Sequence, residues 1–306
     1  MIVLDVAIRG IVLLCISLWV GFDRWRPIAV LQSLAPYLCV LGLPIGVVAI
    51  ANRDWAAMVE SAVALGTLAW IVVPAMRERR LAGDGDGAGA HVTVCFGNLL
   101  AWNTKVDPLT STLAATGADV LALTECTPEM VRALDALCGD RYPHRLEDLR
   151  PDPSGIAVWC TRPLSGSVVP LAGRPAMLAE TGGIRLLVVH TEPPTMRARQ
   201  WSDELAEIGR LADDLRADVV VGDFNAARWH PSFRRLLRRG WRGAHEWLGQ
   251  WHSRSWANEG RMWPLFVRID HALIRDGGDV TPTAVADVPL PGSDHRGFVV
   301  TLSPRR

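Results

Sequence analysis

Two polar side chains, Asp223 and Asn225, follow a run of valines in the segment DVVVGDFN at 218–225. The valines and Gly222 predict a short strand that is buried on both faces and ends in a tight turn. Residues i and i+2 of a strand face the same side about 7 Å apart, so a carboxylate and an amide point into one space. A carboxylate accepts hydrogen bonds and an amide also donates them, which suits an oriented water and a bound anion. The alternative is an Asx turn that closes the loop after a core strand.

Polar residues of the same kinds occupy the ends of other predicted strands. They are Asn98, Glu125, His190, Asp270 with His271, and Asp294 with His295. Sites in layered α/β folds form at such strand ends, so these side chains are expected to converge. Taken singly, each has a structural alternative: Glu125 as a partner of a helix N-terminus, His190 as a satisfied core histidine, and Asp294 as a turn residue. Their recurrence at one strand end after another favours a site.

The elements that would carry these residues alternate between short strands and helices from His91 onward. Strand patterns fall at 91–98, 118–125, 155–160, 176–180 and 184–190 and in three segments after residue 266, and helix patterns fall at 106–115, 128–137 and 196–215. This order predicts an α/β fold, a four-layer α/β/β/α sandwich of two mixed β-sheets that pack face to face under helices. The domain would span residues 91–306, behind a flexible glycine-rich linker at 81–90.

Residues 1–80 carry an excess of apolar side chains and predict a membrane anchor. The apolar runs lie at 6–22, 28–51 and 55–76, and the last two are long enough to cross a hydrocarbon core of about 30 Å. The first run spans only if Arg9 snorkels, and it can instead form an interfacial helix. We therefore expect an N-terminal bundle of three transmembrane helices in a multi-pass protein of the plasma membrane.

The charge balance excludes a strongly basic nucleic-acid binder. The chain has 32 basic and 32 acidic residues, which give a formal net charge of zero. Its six cysteines show no zinc-ligand spacing and leave the redox compartment open. Cys126 and Arg132 form the C-x5-R pattern of a cysteine phosphatase loop. No glycine lies between them to let backbone amides wrap an anion, which favours a chance match.

The motifs FGN, LTE, VVHTEPP, GDFN, RIDH and GSDHR, in this order from His91 to the C-terminus, resemble the endonuclease/exonuclease/phosphatase superfamily. That superfamily includes DNase I-like nucleases, inositol phosphatases and sphingomyelinases. Three apolar runs ahead of such a domain, with HTEPP inside it, are further similar to actinobacterial membrane phosphatases of the VanJ type, which are linked to teicoplanin resistance. The resemblance implies a metal-dependent hydrolase of phosphoric ester or anhydride bonds.

The resemblance also implies a metal site. By it, Glu125 binds Mg²⁺, Asn98 lies close to the ion, and Asp294 supports the metal or its waters, with Mn²⁺ as an alternative ion. Mg²⁺ favours oxygen ligands and keeps several waters, so one or two carboxylates and a substrate phosphate suffice. No other cofactor is expected.

The remaining strand-end residues receive catalytic roles from the same resemblance. It implies that Asp223 orients and deprotonates the attacking water and that Asn225 hydrogen-bonds the phosphate. His190 and His295 would donate to the non-bridging oxygens, where negative charge accumulates in the transition state. Asp270 would accept the other N–H of His295, which fixes its tautomer and favours its charged form. Attack on phosphorus is then direct and in line, without a phosphoenzyme.

The anchor suggests the substrate. A domain tied to a bilayer by a short linker meets lipid-linked phosphates at high effective concentration. We therefore expect a lipid-linked phosphate of the cell envelope, of the undecaprenyl pyrophosphate type that the VanJ-type resemblance supplies, and no stable nucleic-acid partner. The alternatives are a membrane-tethered nuclease acting on DNA or RNA and a non-catalytic membrane interaction domain.

Two features of the last third of the chain bear on the membrane. Bulky aromatic residues there can line a lipid contact or belong to the core: Trp241, Trp247, Trp251, Trp256, Trp263 and Phe266. The basic run RRLLRRGWR at 234–242 can meet anionic headgroups or a polyphosphate, or form the solvated face of a short helix. Local arginine counts place the domain inside the cell, whereas the VanJ-type resemblance places it outside, and we follow the resemblance.

Overall fold

The computed structural model describes residues 2–81, 91–258 and 267–304. Most of the predicted linker, at 82–90, and two of the predicted aromatic contacts, Trp263 and Phe266, lie outside these ranges. Within them, two six-stranded sheets form the body of the protein, and helices precede and cover the sheets.

Helices fill the described part of the N-terminal segment. They are α1 (Ile2–Trp19), α2 (Arg26–Ser33), α3 (Ala35–Val40), α4 (Gly42–Asn52) and α5 (Trp55–Leu81). Two segments, Ala35–Asn52 and Trp55–Glu78, are long and apolar enough to cross a membrane, whereas the apolar part of α1, Val6–Trp19, is shorter. The predicted bundle of three transmembrane helices is therefore not confirmed.

The second apolar run does not form one helix. It is interrupted at Leu34 and Leu41, and both α2 and α3 have a proline in their first turn. Proline lacks an amide donor and disfavours the helical conformation in the residue before it, so new helices begin there more readily than old ones continue. The short helix α2 that precedes the break packs on the larger domain, where Ala29 is fully buried.

Polar contacts hold the N-terminal helices against the larger domain at two places. Asp23, between α1 and α2, accepts hydrogen bonds from the backbone amide and the hydroxyl of Ser232 at 2.6 and 2.8 Å. Near the end of α5, Glu78 pairs with Arg228. The N-terminal segment is thus built into the domain surface.

The larger domain contains twelve strands in its described residues. They are β1 (Val92–Asn98), β2 (Val120–Thr124), β3 (His144–Asp148), β4 (Ile156–Cys160), β5 (Ser165–Leu171), β6 (Arg174–Thr181), β7 (Ile184–His190), β8 (Val219–Asp223), β9 (Trp241–Gly243), β10 (Asp270–Arg275), β11 (Val280–Pro289) and β12 (Arg296–Pro304). The helices are α6 (Val106–Ala115), α7 (Pro128–Cys138), α8 (Pro194–Asp214), α9 (Pro231–Leu237) and α10 (Ala244–Trp247), with a 3₁₀ turn at Gly139–Arg141.

Both sheets are mixed, as the sequence predicts. Their strand orders are β11-β12-β1-β2-β4-β3 and β5-β6-β7-β8-β10-β9. Each sheet has one parallel pair at its centre, β1 with β2 and β7 with β8, and the other described pairings are antiparallel. Parallel neighbours end at the same edge of a sheet, so each central pair presents two carboxyl ends together.

Successive side chains of the central strands point alternately into two different apolar cores. Val219 and Val221 of β8 face the core between the two sheets, whereas Val220 faces α8 and α9 with Trp201 and Phe233. A third apolar cluster lies between the first sheet and the pair α6 and α7. The predicted four layers and the strand buried on both faces are therefore confirmed, and burial on both faces explains the unbroken valines.

Candidate active site

The predicted site residues lie at one edge of the sandwich because the strand register places them there. Asn98 is aligned with Thr124, the residue before Glu125, across the parallel pair β1 and β2. His190 is aligned with Asp223 across β7 and β8, and Asp223 is aligned with Asp270 across β8 and β10. Since the two sheets face each other, the residues at the end of β1 and β2 in one sheet lie next to those at the end of β7, β8 and β10 in the other.

Asn98 joins the two sheets at this edge. Its Nδ2 lies 3.0 Å from Glu125 Oε1 in its own half and 3.0 Å from Asp223 Oδ2 in the other half. Its Oδ1 accepts a hydrogen bond from the Leu100 amide at 3.1 Å. The amide therefore donates to both carboxylates, which holds two like charges side by side.

Two residues of the site adopt left-handed backbone conformations. Glu125 has φ 53°, and its Oε2 accepts a hydrogen bond from the Ala101 amide at 3.0 Å. Asn225 has φ 48°, its backbone amide donates to Asp223 Oδ1 at 2.8 Å, and its Nδ2 donates to Thr191 O at 2.9 Å. The Asx turn that was the alternative for this motif is thus present, and it orients the site carboxylate. Left-handed φ in non-glycine residues is uncommon and clusters at functional sites.

His295 lies among three carboxylates. Its Nδ1 is 2.9 Å from Asp270 Oδ2, and its Nε2 is 3.7 Å from Asp223 Oδ2 and 4.0 Å from Asp294 Oδ1. The ring is almost fully buried, as are Asp223 and Asp270. Asp270 Oδ2 accepts from Nδ1, which leaves Nε2 facing Asp223.

This environment shifts two pKa values toward neutral or basic pH. Burial alone would lower the pKa of His295, but the negative charges of Asp270 and Asp223 outweigh it and raise the pKa to about 10. Burial and the charge of Asp270 raise the pKa of Asp223 to about 7, against the opposing effect of His295. At neutral pH His295 is therefore a cation, and Asp223 titrates near the pH where a general base works best.

His190 has the opposite character. Burial, followed by the positive charges of Arg174 and His295, lowers its pKa to about 3, so the imidazole is neutral. Arg174 Nη2 lies 3.5 Å from Nδ1. Nε2 lies 3.7 Å from both Glu125 Oε1 and Asp223 Oδ2. The neutral ring therefore lies between Arg174 and the two carboxylates.

A cleft of about 930 Å³ opens over these groups. Six of the eight predicted site residues line it, namely Glu125, His190, Asp223, Asn225, Asp294 and His295. The other two, Asn98 and Asp270, are fully buried and contact the lining residues from below. The structure therefore brings together all eight residues to which the resemblance gives a role, whereas the ninth strand-end residue, His271, donates to Ala226 O at 2.9 Å and packs against Phe224 and Phe233 outside the cleft.

A divalent metal fits the donor set of this cleft. Glu125 keeps carboxylate lone pairs beyond its two hydrogen bonds, and Asp294 Oδ1 is buried without a hydrogen-bond partner among the described residues. Asp223, Asp270 and His295 also bring ligand atoms within 4.8 Å of one another. Because His295 Nδ1 is committed to Asp270 and Mg²⁺ prefers oxygen, Glu125 and Asp294 would suit Mg²⁺ better, and their roles as ligands stay predictions. Asn98 faces the carboxylates with its nitrogen, so its role as a metal neighbour stays a prediction.

The structure adds residues to which the sequence reading gave no role. Arg174 lines the cleft, pairs with Glu192 at 2.9 Å and contacts His190. Glu192 belongs to the HTEPP motif, which was the available signal for it, whereas nothing in the sequence around Arg174 marks it. Trp102, 69% exposed, stands at the rim. One wall of the cleft comes from the N-terminal segment, through Val30, Ser33 and Leu34.

Burial bears on two other expectations, the aromatic residues of the last third of the chain and the C-x5-R pattern at Cys126. Trp241 and Trp247 belong to the core, Trp256 lines the cleft, and Trp251 is exposed. Burial raises the pKa of Cys126 to about 12, which keeps its thiol protonated and supports the reading of the C-x5-R pattern as a chance match.

Comparison with known proteins agrees with the geometry. A profile of the Endonuclease/Exonuclease/phosphatase family matches residues 91–295, so the chain belongs to this family. As a member, it is a metal-dependent hydrolase of phosphoric ester bonds. No curated protein sequence matches the chain significantly. The narrower resemblance to VanJ-type membrane phosphatases stays a prediction.

Solved structures show the same fold at low sequence identity. D. rerio TDP2 complexed with a single-strand DNA product has a TM-score of 0.59 and 18% identity, over 70% of this chain and 99% of that one. An endonuclease/exonuclease/phosphatase from Beutenbergia cavernae has a TM-score of 0.52 and 18% identity, over 70% and 72% of the two chains. The 3′ phosphatase NExo from Neisseria, bound to a product DNA hairpin, has a TM-score of 0.50 and 16% identity, over 68% and 98%.

Proposed function

We propose that the protein is a membrane-anchored, Mg²⁺-dependent hydrolase of a lipid-linked phosphate or pyrophosphate of the cell envelope. The observation that carries this proposal is the wall of the catalytic cleft contributed by Val30, Ser33 and Leu34. These residues belong to α2 and its end, between α1 and the apolar segment Ala35–Asn52. A substrate that enters along this wall comes from the side of the apolar helices, as a lipid-linked phosphate would.

The rest of the cleft suits such a substrate. Apolar side chains of Trp256, Val267 and Ile269 line it together with the polar groups of the reaction. A concave, mostly apolar site with a few convergent polar groups is typical of small-molecule binding. An isoprenoid or acyl chain can lie on the apolar part while the phosphate reaches the carboxylates.

The residues then divide the reaction between them. Glu125 and Asp294 would hold Mg²⁺ with its waters, and the ion would neutralise charge on the phosphate oxygens. Asp223 accepts a proton from the attacking water, for which its pKa near 7 suits it. Asn225 would hydrogen-bond the phosphate.

Two histidines would stabilise the transition state in different ways. His295 offers a positive charge held by Asp270, and His190 offers a neutral N–H. Both face the position where negative charge develops on the non-bridging oxygens during in-line attack. The protein supplies no nucleophile of its own in this scheme, so no phosphoenzyme forms.

A nuclease or nucleic-acid phosphatase is the second candidate. Two structures of similar fold hold DNA products, and the exposed Trp102 at the cleft rim offers a ring on which a base can stack. The zero net charge argues against it, because nucleic-acid binding rests largely on phosphate neutralisation by basic residues.

The test compares substrates on the full-length protein in neutral detergent with Mg²⁺. Phosphate release from an isoprenyl pyrophosphate and nicking of plasmid DNA are measured in parallel. Glu125→Ala should lower phosphate release about a hundredfold or more through loss of a metal ligand. Glu129→Ala, an exposed glutamate in the first turn of α7, is the matched control and should leave it unchanged. DNA nicking without phosphate release would reverse the order of the two candidates.

We also propose that the protein resides in the plasma membrane with the domain on the outer side, which rests on the VanJ-type resemblance. Protease treatment of intact cells tests the side. Digestion of the domain is expected, and survival of the domain while other surface proteins are cleaved would place it inside.

A further inference from the structure

A second cavity, of about 410 Å³, lies where α5 meets the larger domain. Trp70, Ile71, Pro74 and Glu78 of α5 form one side, and residues of the loop after β8, of α9 and of β9 form the other. It shares no lining residue with the catalytic cleft. The basic run at 234–242, which the catalytic reaction does not use, supplies most of its second side.

The charge of this cavity is positive. Its lining contains four arginines, Arg228, Arg234, Arg238 and Arg242, against two acids, Glu78 and Asp276. Both acids are committed, since Glu78 pairs with Arg228 and Asp276 pairs with Arg242 at 3.0 Å. Arg234 and Arg238 have no acidic partner within 4 Å among the described residues. Two positive charges of the lining are therefore left without a counter-ion.

Arg234 is held in place in a way that keeps it available to an anion. Its guanidinium lies 3.6 Å from the centroid of the Trp70 ring. The side chain is half-buried, and burial, then the charges of Arg238 and Arg228, lower its pKa to about 10. Stacking on tryptophan leaves the edge donors of a guanidinium free for a bidentate contact.

The location suggests where an anion would come from. Trp70 and Ile71 belong to the apolar segment Trp55–Glu78, and the arginines stand beside its C-terminal end. At the end of a membrane-spanning helix lie lipid headgroups, and tryptophan and arginine are both suited to that zone. A soluble anion has no need of an apolar helix face as half of its site.

We propose that this cavity binds the phosphate of an anionic membrane phospholipid, with Arg234 and Arg238 as its main contacts. The lipid would sit between α5 and the larger domain, with its chains along the apolar face of α5. This site is independent of the proposed substrate, because its residues take no part in the phosphoester reaction. Bound lipid would help to fix the domain against the anchor at a surface distinct from the catalytic cleft.

The experiment counts bound lipid by native mass spectrometry of the full-length protein released from neutral detergent. Phosphatidylglycerol is the probe, with phosphatidylcholine and inorganic phosphate as comparison ligands. The wild type should retain one phosphatidylglycerol in preference to phosphatidylcholine. The double variant Arg234→Gln with Arg238→Gln should bind phosphatidylglycerol about tenfold or more weakly, because two charge-assisted contacts are lost.

Controls separate the inference from folding defects and from the proposed function. Arg199→Gln with Arg210→Gln removes the same charge from exposed positions of α8 and should leave binding unchanged. Arg238→Gln alone changes an exposed side chain and should weaken binding even if the double variant proves unstable. Asp223→Asn should retain the lipid, whether or not the catalytic assay supports a lipid-linked substrate.

Three results would overturn the proposal. They are unchanged phosphatidylglycerol binding in Arg238→Gln and the double variant, equal retention of phosphatidylcholine by the wild type, and binding of inorganic phosphate as tight as that of the lipid.

Discussion

Replacing Asp270 by asparagine tests how the site holds His295 in its charged form. The carboxylate lies 2.9 Å from His295 Nδ1, is fully buried, and does not line the cleft. The substitution keeps the size of the side chain and removes its charge. Asp270 would therefore act on the phosphate only through the imidazolium, which makes it a positioning residue with a signature in the pH profile.

The size of the effect follows from the pKa of His295. Burial lowers the pKa of His295, and the charge of Asp270 is the largest contribution that raises it to about 10. Without that charge only Asp223 and Asp294 oppose burial, so the pKa should fall toward the ordinary 6.5. A change from about 10 to 6.5 corresponds to about 5 kcal/mol in the preference for the charged ring. At pH 8 a ring with pKa 6.5 is charged in about one molecule in 30, so kcat should fall about 30-fold at that pH.

The assay is the pH dependence of kcat on a soluble phosphodiester at saturating Mg²⁺. A raised pKa means that the charged form persists until pH rises through about 10, so the alkaline limb of wild-type activity should lie near pH 10, while protonation of the base Asp223, whose pKa is about 7, sets the acid limb. In Asp270→Asn the alkaline limb should move below pH 7. Asp218→Asn, at the opposite end of β8, makes the same chemical change outside the cleft and should keep the wild-type profile. An unchanged alkaline limb in Asp270→Asn would refute the assignment of His295 as the cation of the site.

Three further predictions concern other parts of the structure. Asp223→Asn should lower kcat about a thousandfold with little change in KM, because the base is lost while phosphate contacts remain; steady-state kinetics on the same diester measures this. Asn98→Leu should raise the Mg²⁺ concentration for half-maximal activity about 10- to 100-fold, because Glu125 loses the amide that orients it, and a Mg²⁺ titration measures it. Burial lowers the pKa of His271 to about 4. As pH falls, the imidazole is therefore protonated in the unfolded chain before it is protonated in the folded one. The free energy of unfolding should fall by about 3 kcal/mol between pH 6.5 and pH 4. His271→Gln should show a smaller fall in melting temperature between pH 7.5 and pH 5 than the wild type.

The sequence predicted the strands that carry the site residues well, because the signals for them are local. A strand buried on both faces reads as an unbroken apolar run, and a polar residue at its end is visible without any tertiary knowledge. Val219 to Val221 followed by Asp223 is such a case, and the register of two parallel pairs then brings the strand ends together. The edge strand β5 gave no such signal, because most of its residues are exposed.

The N-terminal segment was predicted less well because hydropathy does not record where a helix breaks. The apolar run at 28–51 looks continuous in composition, yet a new helix with Pro36 in its first turn begins within it, and another with Pro27 in its first turn begins just ahead of it. Those prolines were a usable signal, since each removes a helical hydrogen bond and restricts the residue before it. The surface on which α2 packs could not be predicted from the neighbouring residues, because its partners lie about 200 positions further along the chain.

The placement of α2 shows why part of the site could not be read from the sequence. Ala29 O is 3.0 Å from His230 Nε2, a contact between residues 201 positions apart. Ser33 lies on the same helix, and its Oγ is 3.4 Å from His230 Nε2. Because Ser33 also lines the cleft, the packing of α2 against His230 places one wall of the cleft. The loop that follows Asn225 is thus packed against the N-terminal helices, so these helices and the strand end that carries Asp223 form one structure. Under the proposed function, N-terminal helices that both enter the membrane and line the cleft would favour substrates that arrive from the side of these helices, which a flexible tether alone would not provide.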